Sequence, residues 1–313
     1  MMALDESSQS RNGMPTLRGT LRHDEPMARH TSWRVGGPAE HYYEPADLDD
    51  VAAYLRQLPA AEPVMWVGLG SNLLVRDGGI RGSVIVTNGV LSEITRVSDT
   101  VVRAGAGVAC AKVARYCAGA GLSGAEFLVG IPGTMGGALA MNAGAFGGET
   151  WRLVQSVETI DRRGNVARRT PEQYSVGYRS VGGPAGEWFV AAYLQLQPGD
   201  AGQGRARIKE LLGRRADLQP TGQPSCGSVF RNPPGDYAGR LIEVCGLKGV
   251  RIGGAEVSRK HANFIINDGA ASAADIEALI LHVRDTVERL QGVRLEPEVR
   301  IVGEPAPAAG GRP

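Results

Sequence analysis

The stretch GIPGTMGGALAMNAGAFG, residues Gly130–Gly147, decides how this chain is interpreted. It carries no charge and is rich in glycine and alanine, so its backbone can approach a flat or anionic ligand closely. The uncharged run from Phe127 to Gly148 is long enough to cross a bilayer, but its proline, its asparagine and its seven glycines make a poor membrane span. We therefore interpret it as a ligand-binding loop.

A second glycine-rich loop, Gly68–Asn72, follows the apolar run Val64–Val67, which predicts a buried strand. Backbone N–H groups after a strand are well placed to hold a diphosphate. The loop is not a G-x-G-x-x-G fingerprint, because Leu73 takes the sixth position, and it is not a P-loop, because no Gly-Lys-Ser/Thr follows. Either loop alone is compatible with ordinary turn chemistry. Together they favour a large cofactor that contains a diphosphate.

The composition agrees with a backbone that approaches a ligand closely. Glycine accounts for 44 of the 313 residues, about 14% against a usual ~7%. The 34 basic and 33 acidic residues leave a net charge of +1, which predicts neither a nucleic-acid nor a membrane partner. The four cysteines form no C-x-x-C pair and have no histidine at zinc-finger spacing, so we expect no disulfide and no metal. Residues 1–19 lack the apolar core of a signal peptide, which predicts a disordered lead-in to a cytoplasmic protein.

Local patterns predict helices and strands in an α+β arrangement of two or three parts. Asp47 is expected to cap one helix, and Cys110–Cys117 predicts a second with buried thiols. Ser272 and Asp275 predict a capping box for a long helix that ends at Gly292. Its predicted apolar face comprises Ile276, Leu279, Ile280, Val283, Val287 and Leu290. Strands are predicted at 84–87, 101–104, 153–160, 165–170, 188–197, 264–266 and 295–301, with a boundary at 219–224.

With these motifs in place, the chain resembles the family of UDP-N-acetylenolpyruvoylglucosamine reductases, flavoenzymes that complete UDP-N-acetylmuramate in bacterial peptidoglycan synthesis. The resemblance extends from about Arg18 to Gly303. It rests on six segments in order: Thr31–Ala39 (TSWRVGGPA), Gly68–Val75 (GLGSNLLV), Gly130–Gly147, Tyr178–Ser180 (YRS), Gly227–Pro233 (GSVFRNP) and Leu295–Ile301 (LEPEVRI).

The resemblance implies a vanillyl-alcohol-oxidase-type (PCMH-type) FAD-binding fold of two α+β subdomains plus a C-terminal α+β substrate-binding domain. The implied bounds are 20–94 and 95–215 for the FAD-binding subdomains and 216–303 for the substrate domain, with 1–19 and 304–313 disordered. The chain after Arg179 is short, so the extra tyrosine-bearing loop of longer family members has no room here. The resemblance therefore indicates the shorter type of the family.

The implied reaction uses non-covalent FAD, with NADPH as hydride donor and UDP-N-acetylglucosamine enolpyruvate as substrate, in a monomer. Hydride addition at the outer vinyl carbon leaves carbanion character beside a carboxylate, which requires a charge stabiliser and an acid. By motif matching, Ser228 is the expected proton donor and Arg179 the charge stabiliser. Glu298 completes the catalytic set, acting either in its protonated form or by orienting Arg179 and a water.

The same resemblance implies contacts to the ligands. The substrate contacts are Tyr178, Arg231 and Asn232. The cofactor contacts are Arg34, Gly36, Gly68, Gly70, Ser71, Asn72, Gly130, Gly133, Thr134, Gly136, Gly137, Asn142 and Gly144. We expect bulk at Gly133 or Gly136 to reduce flavin retention before it disturbs the fold. Two departures from the common family pattern are His30 in place of asparagine and Arg231 in place of lysine.

Two alternatives stay open on the residues alone. One is a flavin-dependent oxidase of the same fold, although no histidine or cysteine motif for covalent flavin linkage appears. The other is a non-catalytic nucleotide-sugar-binding protein, against which the intact set of Arg179, Ser228 and Glu298 argues. Flavin colour on purification separates the second alternative from the enzymes.

Overall fold

The computed structural model describes residues 15–307. The lead-in and tail expected to be disordered therefore lie mostly outside the described residues, at 1–14 and 308–313. Within the described part the α+β class is confirmed, with three groups of elements that follow one another along the chain. None of the helices in this part combines the length and the apolar character that crossing a bilayer requires.

The first group is a four-stranded sheet covered by one helix. Its strands, in spatial order, are Thr20–Pro26, Pro38–Glu44, Ile80–Val86 and Val64–Val67. The first pair is antiparallel and the other two pairs are parallel. Helix α1, Leu48–Gln57, begins as predicted, because the side chain of Asp47 accepts a bond from the Asp50 N–H at 3.0 Å. It packs an apolar face that includes Val51 and Leu55 on this sheet.

The second group is a five-stranded antiparallel sheet with three helices. In spatial order the strands are Val166–Arg169, Val154–Asp161, Glu187–Gln195, Val101–Gly105 and Ile94–Arg96. The helices are α2 (Cys110–Gly119), α3 (Met135–Met141) and α4 (Ala201–Leu218). Cys110 and Cys117 of α2 are fully buried in the core between the helices and the sheet, as expected of small apolar residues.

Short elements connect this second group. Three two-stranded pairs are Leu122–Ser123 with Gln197–Pro198, Gly144–Ala145 with Gly148–Glu149, and Ser175–Gly177 with Ser180–Gly182. Single turns of 3₁₀-helix occur in the first and second groups at Met27–Arg29, Glu126–Gly130, Thr150–Leu153 and Pro171–Gln173. The chain after Arg179 turns back at once, which agrees with the shorter type of the family.

The third group packs two helices on a small sheet of Arg251–Ile252, Ala255–Val257 and Ile265–Asn267. The helices are α5 (Ala238–Val244) and α6 (Ala273–Gln291). The capping box of Ser272 and Asp275 is confirmed, and α6 ends at Gly292 with φ at +68°. The predicted apolar face is correct except for Leu290, which is 49% exposed because the helix end extends beyond the core.

The strand predicted at 295–301 is mostly wrong. Only Arg300–Val302 forms a strand, and it pairs in parallel with Leu73–Val75 of the first group. Further contacts join these two groups. The buried Trp33 donates from Nε1 to Ile265 O at 2.7 Å. The carboxylate of Asp77 accepts bonds from the first two N–H groups of α6. These contacts hold the third group against the first. A loop of the third group thereby contacts the glycine-rich loop after Val67, where Asn72 bonds Glu298 O.

Candidate active site

A cavity of about 780 Å³ lies where the three groups of elements meet. Both glycine-rich loops, Gly68–Asn72 and the segment that begins at Gly130, contribute to its wall. The three expected catalytic side chains, Arg179, Ser228 and Glu298, line the same cavity. Gly68 and Ser228, which are 160 positions apart in the sequence, therefore line the same cavity.

Glycine is required where the first loop crosses other backbone. A Cβ on Gly70, whose φ is +60°, would lie 1.9 Å from the carbonyl oxygen of His30. A Cβ on Gly68 would lie 2.2 Å from Oγ1 of Thr134, at the start of α3. Since real atoms do not approach so closely, these two positions allow the first loop, the His30 segment and α3 to converge on the cavity.

Three polar atoms on the cavity wall have no hydrogen-bond partner within residues 15–307: Nε1 of Trp66, Oγ1 of Thr134 and the hydroxyl of Tyr174. Such buried groups cost about 1–3 kcal/mol each when unpaired, so a polar ligand stabilises this wall. Burial raises the pKa of Tyr174 to about 12, which keeps its hydroxyl a donor. Trp66 stacks on Trp188 at 5.5 Å between ring centroids, giving an apolar wall for a flat ring. This combination fits FAD.

Most of the expected cofactor contacts lie on the cavity wall: Gly68, Gly70, Ser71, Asn72, Gly130, Gly133, Thr134, Gly136, Gly137 and Gly144. Three do not. Gly36 packs against Val75, where its Cβ would lie 2.9 Å from the valine Cβ. Asn142 is 2% exposed, and its amide bonds Gly177 O and the Trp151 N–H. Arg34 lines a neighbouring cavity instead.

Arg179 reaches the cavity from the turn of the short hairpin, where its φ is +54°. Its Nε donates to Oε1 of Glu298 at 2.8 Å, and its Nη2 donates to Gly144 O at 2.9 Å. Nη1 bonds Asn142 O at 3.4 Å. A guanidinium has five N–H groups, so two remain for a ligand. The side chain is 18% exposed, which strengthens its attraction for an anion.

Ser228 and Glu298 are brought together by backbone pairing. The segment Val229–Arg231 runs antiparallel to Glu296–Glu298, with Glu298 N donating to Val229 O at 2.7 Å and Arg231 N donating to Glu296 O at 2.9 Å. Asn263, 3% exposed, fixes this segment by bonding both N and O of Phe230. The loop that carries Ser228 therefore has a defined position beside Glu298.

The electrostatic environment of Glu298 combines opposing effects. Burial raises the pKa of its carboxyl, and this outweighs the lowering by Arg179 and Arg231. The carboxyl of Glu298 therefore takes up a proton at a higher pH than the carboxyl of an exposed glutamate. Asn72 adds a link between the cofactor loop and this residue, because its Nδ2 donates to Glu298 O at 3.1 Å.

The three expected substrate contacts lie near the cavity but not on its wall. Tyr178 is 51% exposed beside Arg179, with 5.3 Å between the arginine Cζ and the ring centroid. Arg231 donates from Nη2 to Arg179 O at 3.2 Å. Asn232 accepts the Ala238 N–H at the start of α5 through Oδ1 at 3.1 Å.

Several wall residues were not expected from the sequence. Trp66 belongs to a strand interpreted as buried core, and Trp188 to a β-like run. Arg215 lies in the last turn of α4, before the polar boundary segment, where an arginine is ordinarily solvated. Nothing in the local pattern distinguishes these residues from core or surface positions. The unusual placement of tryptophan beside a glycine-rich loop is the one available signal.

Comparisons with known proteins identify the family of the chain. Residues 39–169 match the profile of an FAD binding domain, and residues 219–302 match the profile of the C-terminal domain of UDP-N-acetylenolpyruvoylglucosamine reductase. The reductase of Alkalilimnicola ehrlichii is 65% identical over 286 residues, which cover 91% of this chain and 96% of that protein. That of Methylococcus capsulatus is 63% identical, over 95% of this chain and 97% of its own length.

A solved structure supports the same assignment. The crystal structure of UDP-N-acetylenolpyruvylglucosamine reductase from Thermus caldophilus matches with a TM-score of 0.76 and 32% identity, over 91% of this chain and 99% of that one. Since identity of this extent covers nearly the full length of both partners, the chain is an FAD-binding oxidoreductase of peptidoglycan-precursor synthesis and belongs to the UDP-N-acetylenolpyruvoylglucosamine reductase family.

Proposed function

We propose that Arg179, Ser228 and Glu298 carry out the reduction of UDP-N-acetylglucosamine enolpyruvate to UDP-N-acetylmuramate. The observation that carries this assignment is the convergence of the three on one cavity, with Arg179 and Glu298 bonded at 2.8 Å. The glycine-rich loop Gly68–Asn72 and the segment that begins at Gly130 would hold FAD, which would supply the hydride, taken from NADPH, for the outer vinyl carbon of the enolpyruvyl group.

Arg179 binds the substrate carboxylate and stabilises the charge that develops on it. As hydride adds, negative charge spreads onto this carboxylate in an enediolate. A guanidinium stays protonated throughout and can offer two N–H groups to a carboxylate. The bonds of Arg179 to Glu298 and to Gly144 O hold it in position before the reaction, so little reorganisation is needed when the charge appears.

Ser228 donates the proton to the carbon beside the carboxylate, and Glu298 orients Arg179. A serine hydroxyl is a weak acid in water, so it must act within a fixed geometry. The pairing of Val229 with Glu298 provides that geometry. The charge of Glu298 opposes the enediolate, but Arg179 and Arg231 both act on the same carboxyl and offset it.

The wider assignments follow the same reasoning. We propose that 20–94 and 95–215 form two FAD-binding subdomains and that 216–303 form the substrate domain. The gap between the two family profiles, at 39–169 and 219–302, supports the separate substrate domain. The two separate sheets support the division of the FAD-binding part. We also propose a monomer that works in the cytoplasm, where both NADPH and UDP-linked sugars are available.

Replacement of Ser228 by alanine tests the proton-donor role. We expect Ser228→Ala to leave flavin reduction by NADPH nearly unchanged, while flavin reoxidation by the enolpyruvyl substrate slows by a factor of about 10²–10⁴, the usual contribution of a general acid. Stopped-flow absorbance of the flavin measures the two half-reactions separately. Ser92→Ala, at an exposed serine that lines neither cavity, is the control. Equal loss of both half-reactions would remove Ser228 from the proposed role.

A further inference from the structure

Asn263 is buried beside the segment that carries Ser228, but it does not line the cavity of about 780 Å³. Its side chain bonds the backbone of Phe230 twice: Oδ1 accepts the N–H at 2.9 Å, and Nδ2 donates to the carbonyl oxygen at 2.8 Å. The carbonyl oxygen of Asn263 also accepts the Val229 N–H at 2.9 Å. One residue outside the cavity therefore makes three hydrogen bonds to the two residues that follow Ser228.

The amide of Asn263 takes the place of a neighbouring strand. One edge of the segment Val229–Arg231 pairs with Glu296–Glu298. In an antiparallel pair, successive residues direct their backbone groups to opposite sides. Phe230, at the middle of the segment, directs both of its backbone groups to Asn263. A single side chain therefore bonds the two groups that a third strand would otherwise bond.

The chemistry of this contact requires an amide. Val229 is fully buried and Phe230 is 2% exposed, so water does not replace a lost partner there. An asparagine amide both accepts and donates, whereas an ionised aspartate of the same shape only accepts. With aspartate at position 263, the carbonyl oxygen of Phe230 would face a second acceptor. A buried carbonyl without a donor is unfavourable, so the segment that carries Ser228 would move.

The backbone before Ser228 is not fixed by packing. Gly227 has a φ of +84°, a conformation that glycine adopts readily. A Cβ added to Gly227 would have no atom within 4 Å, so the space around it is open. The position of Ser228 therefore depends on the residues that follow it, which are the ones that Asn263 bonds.

Asn263 is itself held by a closed turn. Ser258 N donates to Phe264 O at 2.8 Å, and Phe264 N donates to His261 O at 3.0 Å. Asn263 N donates to Nδ1 of His261 at 3.3 Å, and the histidine ring packs edge-on against Phe264 with 4.9 Å between the ring centroids. The amide of Asn263 therefore has a fixed position before any substrate binds, as the support of a functional side chain requires.

We propose that Asn263 is a positioning residue that fixes the face from which Ser228 protonates the substrate. This inference rests on the proposed function, in which the O–H bond of Ser228 breaks as a C–H bond forms at the carbon beside the carboxylate. The serine oxygen then recovers a proton from water. The protonated carbon carries four different groups, so it becomes a stereocentre, and a serine held on one side of it yields one epimer.

The test compares Asn263→Asp and Asn263→Ser with Asn267→Ala in the holoenzyme. Stopped-flow absorbance measures flavin reduction by NADPH and flavin reoxidation by the enolpyruvyl substrate, and NMR of the product measures the ratio of the two epimers. We expect both Asn263 variants to slow reoxidation by about 10- to 100-fold, since a displacement of about 1 Å has an effect of that size. Flavin reduction should stay within about twofold of the parent rate. The second epimer should appear, because water can protonate the carbon from either face.

Asn267 is a matched control for a purely structural asparagine. It is 4% exposed, lies in the strand Ile265–Asn267 of the same small sheet, and also bonds backbone groups. Its Nδ2 donates to Trp33 O at 2.8 Å, and its Oδ1 accepts the Gly269 N–H at 2.8 Å. Asn267→Ala should therefore lower Tm, yet keep a single epimer and the parent ratio of the two half-reaction rates.

A double substitution tests whether Asn263 acts through Ser228. Two residues that act as one unit give non-additive losses. Once Ser228→Ala has removed the proton donor, Asn263→Asp should change reoxidation by no more than about twofold. A general structural role predicts instead that the two losses multiply. This comparison is made between folded variants with matched Tm values, so loss of stability does not imitate the result.

Three results would overturn the inference: a single epimer at the parent rate in both Asn263 variants, an equal loss of both half-reactions, or losses that multiply in the double variant. The Ser228→Ala protein separates this failure from that of the proposed function. If Ser228→Ala is slow while the Asn263 variants behave like the parent protein, only the positioning role fails. If Ser228→Ala itself reoxidises at the parent rate, the proposed proton donor is wrong and the role of Asn263 falls with it.

Discussion

Arg179 adopts a left-handed backbone conformation that costs a non-glycine residue about 1–2 kcal/mol. Arg231 compensates by donating to the carbonyl oxygen of Arg179, and its charge also lowers the pKa of Glu298. The side chain of Arg231 thus supports both the position of Arg179, the proposed charge stabiliser, and the ionisation of Glu298. This is a positioning role, distinct from the substrate contact expected from the sequence, which stays a prediction.

Loss of the Arg231 charge should therefore change a pH profile. Removing this cation raises the pKa of Glu298, which burial already holds above its usual range. Because ionised Glu298 orients Arg179, we expect the acidic limb of the flavin-reoxidation profile to move to higher pH in Arg231→Gln. Arg231→Lys keeps the charge and should leave the limb in place, whereas Glu298→Gln should abolish it. A limb that persists in Glu298→Gln would contradict this assignment.

Helix α3 shows why individual glycines of one motif differ in role. Gly136 borders the cavity, but a Cβ added to it would lie 3.0 Å from the Cβ of Ala106, the residue after the strand Val101–Gly105. The next residue, Gly137, lines the cavity, and its nearest atom to an added Cβ would be Oγ1 of Thr134 at 3.9 Å. From the sequence, bulk at Gly136 is expected to reduce flavin retention before it disturbs the fold. The tight contact with Ala106 predicts instead that the fold is affected as well.

Valine at these two neighbouring positions should give opposite results. Gly136→Val is expected to destabilise the fold by about 1–3 kcal/mol through overpacking. Gly137→Val should leave the Tm of the flavin-free protein nearly unchanged. It should weaken FAD binding by about tenfold or more, because the side chain enters the cofactor space. Thermal unfolding and FAD titration measure the two effects. The control is Gly119→Ala, at an open position of α2. Similar effects of both valines would refute the distinction.

The success of sequence prediction differed between elements for physical reasons. Helices α1 and α6 have local caps and a continuous apolar face, so their starts were predicted correctly. Helix α4 was not predicted, because it buries only Gly204, Ile208 and Leu211 and its remaining surface is polar. The strand expected at 295–301 pairs only at its end, since the preceding residues bond Val229–Arg231 instead.

The candidate site shows a similar limit. Motif order alone placed Arg179, Ser228 and Glu298 together, and the structure brings all three to the cavity. A motif does not reveal which of its residues face the ligand. Gly36 and Asn142 therefore appeared equivalent to Gly133, although they support the backbone elsewhere. Arg215 lines the cavity because of the way α4 packs in the folded molecule, which its local sequence does not show.

At the scale of the whole molecule, α6 is joined to the first group by the ion pair of Arg76 and Glu277, at 2.7 Å. The hydrogen bond from Arg76 lowers the pKa of Glu277, against an opposing effect of burial. A carboxyl whose pKa is lower in the folded state contributes stability above its unfolded pKa and loses it as pH falls through the folded value. The ion pair of Arg76 and Glu277 therefore stabilises the packing of α6 on the first group at neutral pH.

Glu277→Gln should reveal that contribution. Since both side chains are partly exposed, we expect a loss of only about 0.5–1 kcal/mol at pH 7. The difference from the parent protein should shrink between pH 7 and pH 3, because the carboxyl of Glu277 takes up a proton as the pH falls through its lowered folded-state pKa. Urea unfolding of the holoenzyme at the two pH values measures it. Glu304→Gln, which breaks the more exposed pair with Arg81, is the control. An equal loss at both pH values would contradict the ionic origin.

The parallel pairing of Leu73–Val75 with Arg300–Val302 has a consequence for biosynthesis. Arg300 lies opposite Leu73, 227 positions earlier, and Leu73 directly follows the glycine-rich loop. A nascent chain on the ribosome exposes this loop long before its supporting strand has been translated, and closing such a distance is entropically costly. We therefore expect cofactor loading to follow release of the polypeptide. Prematurely terminated products should stay colourless and be cleared by cellular proteases.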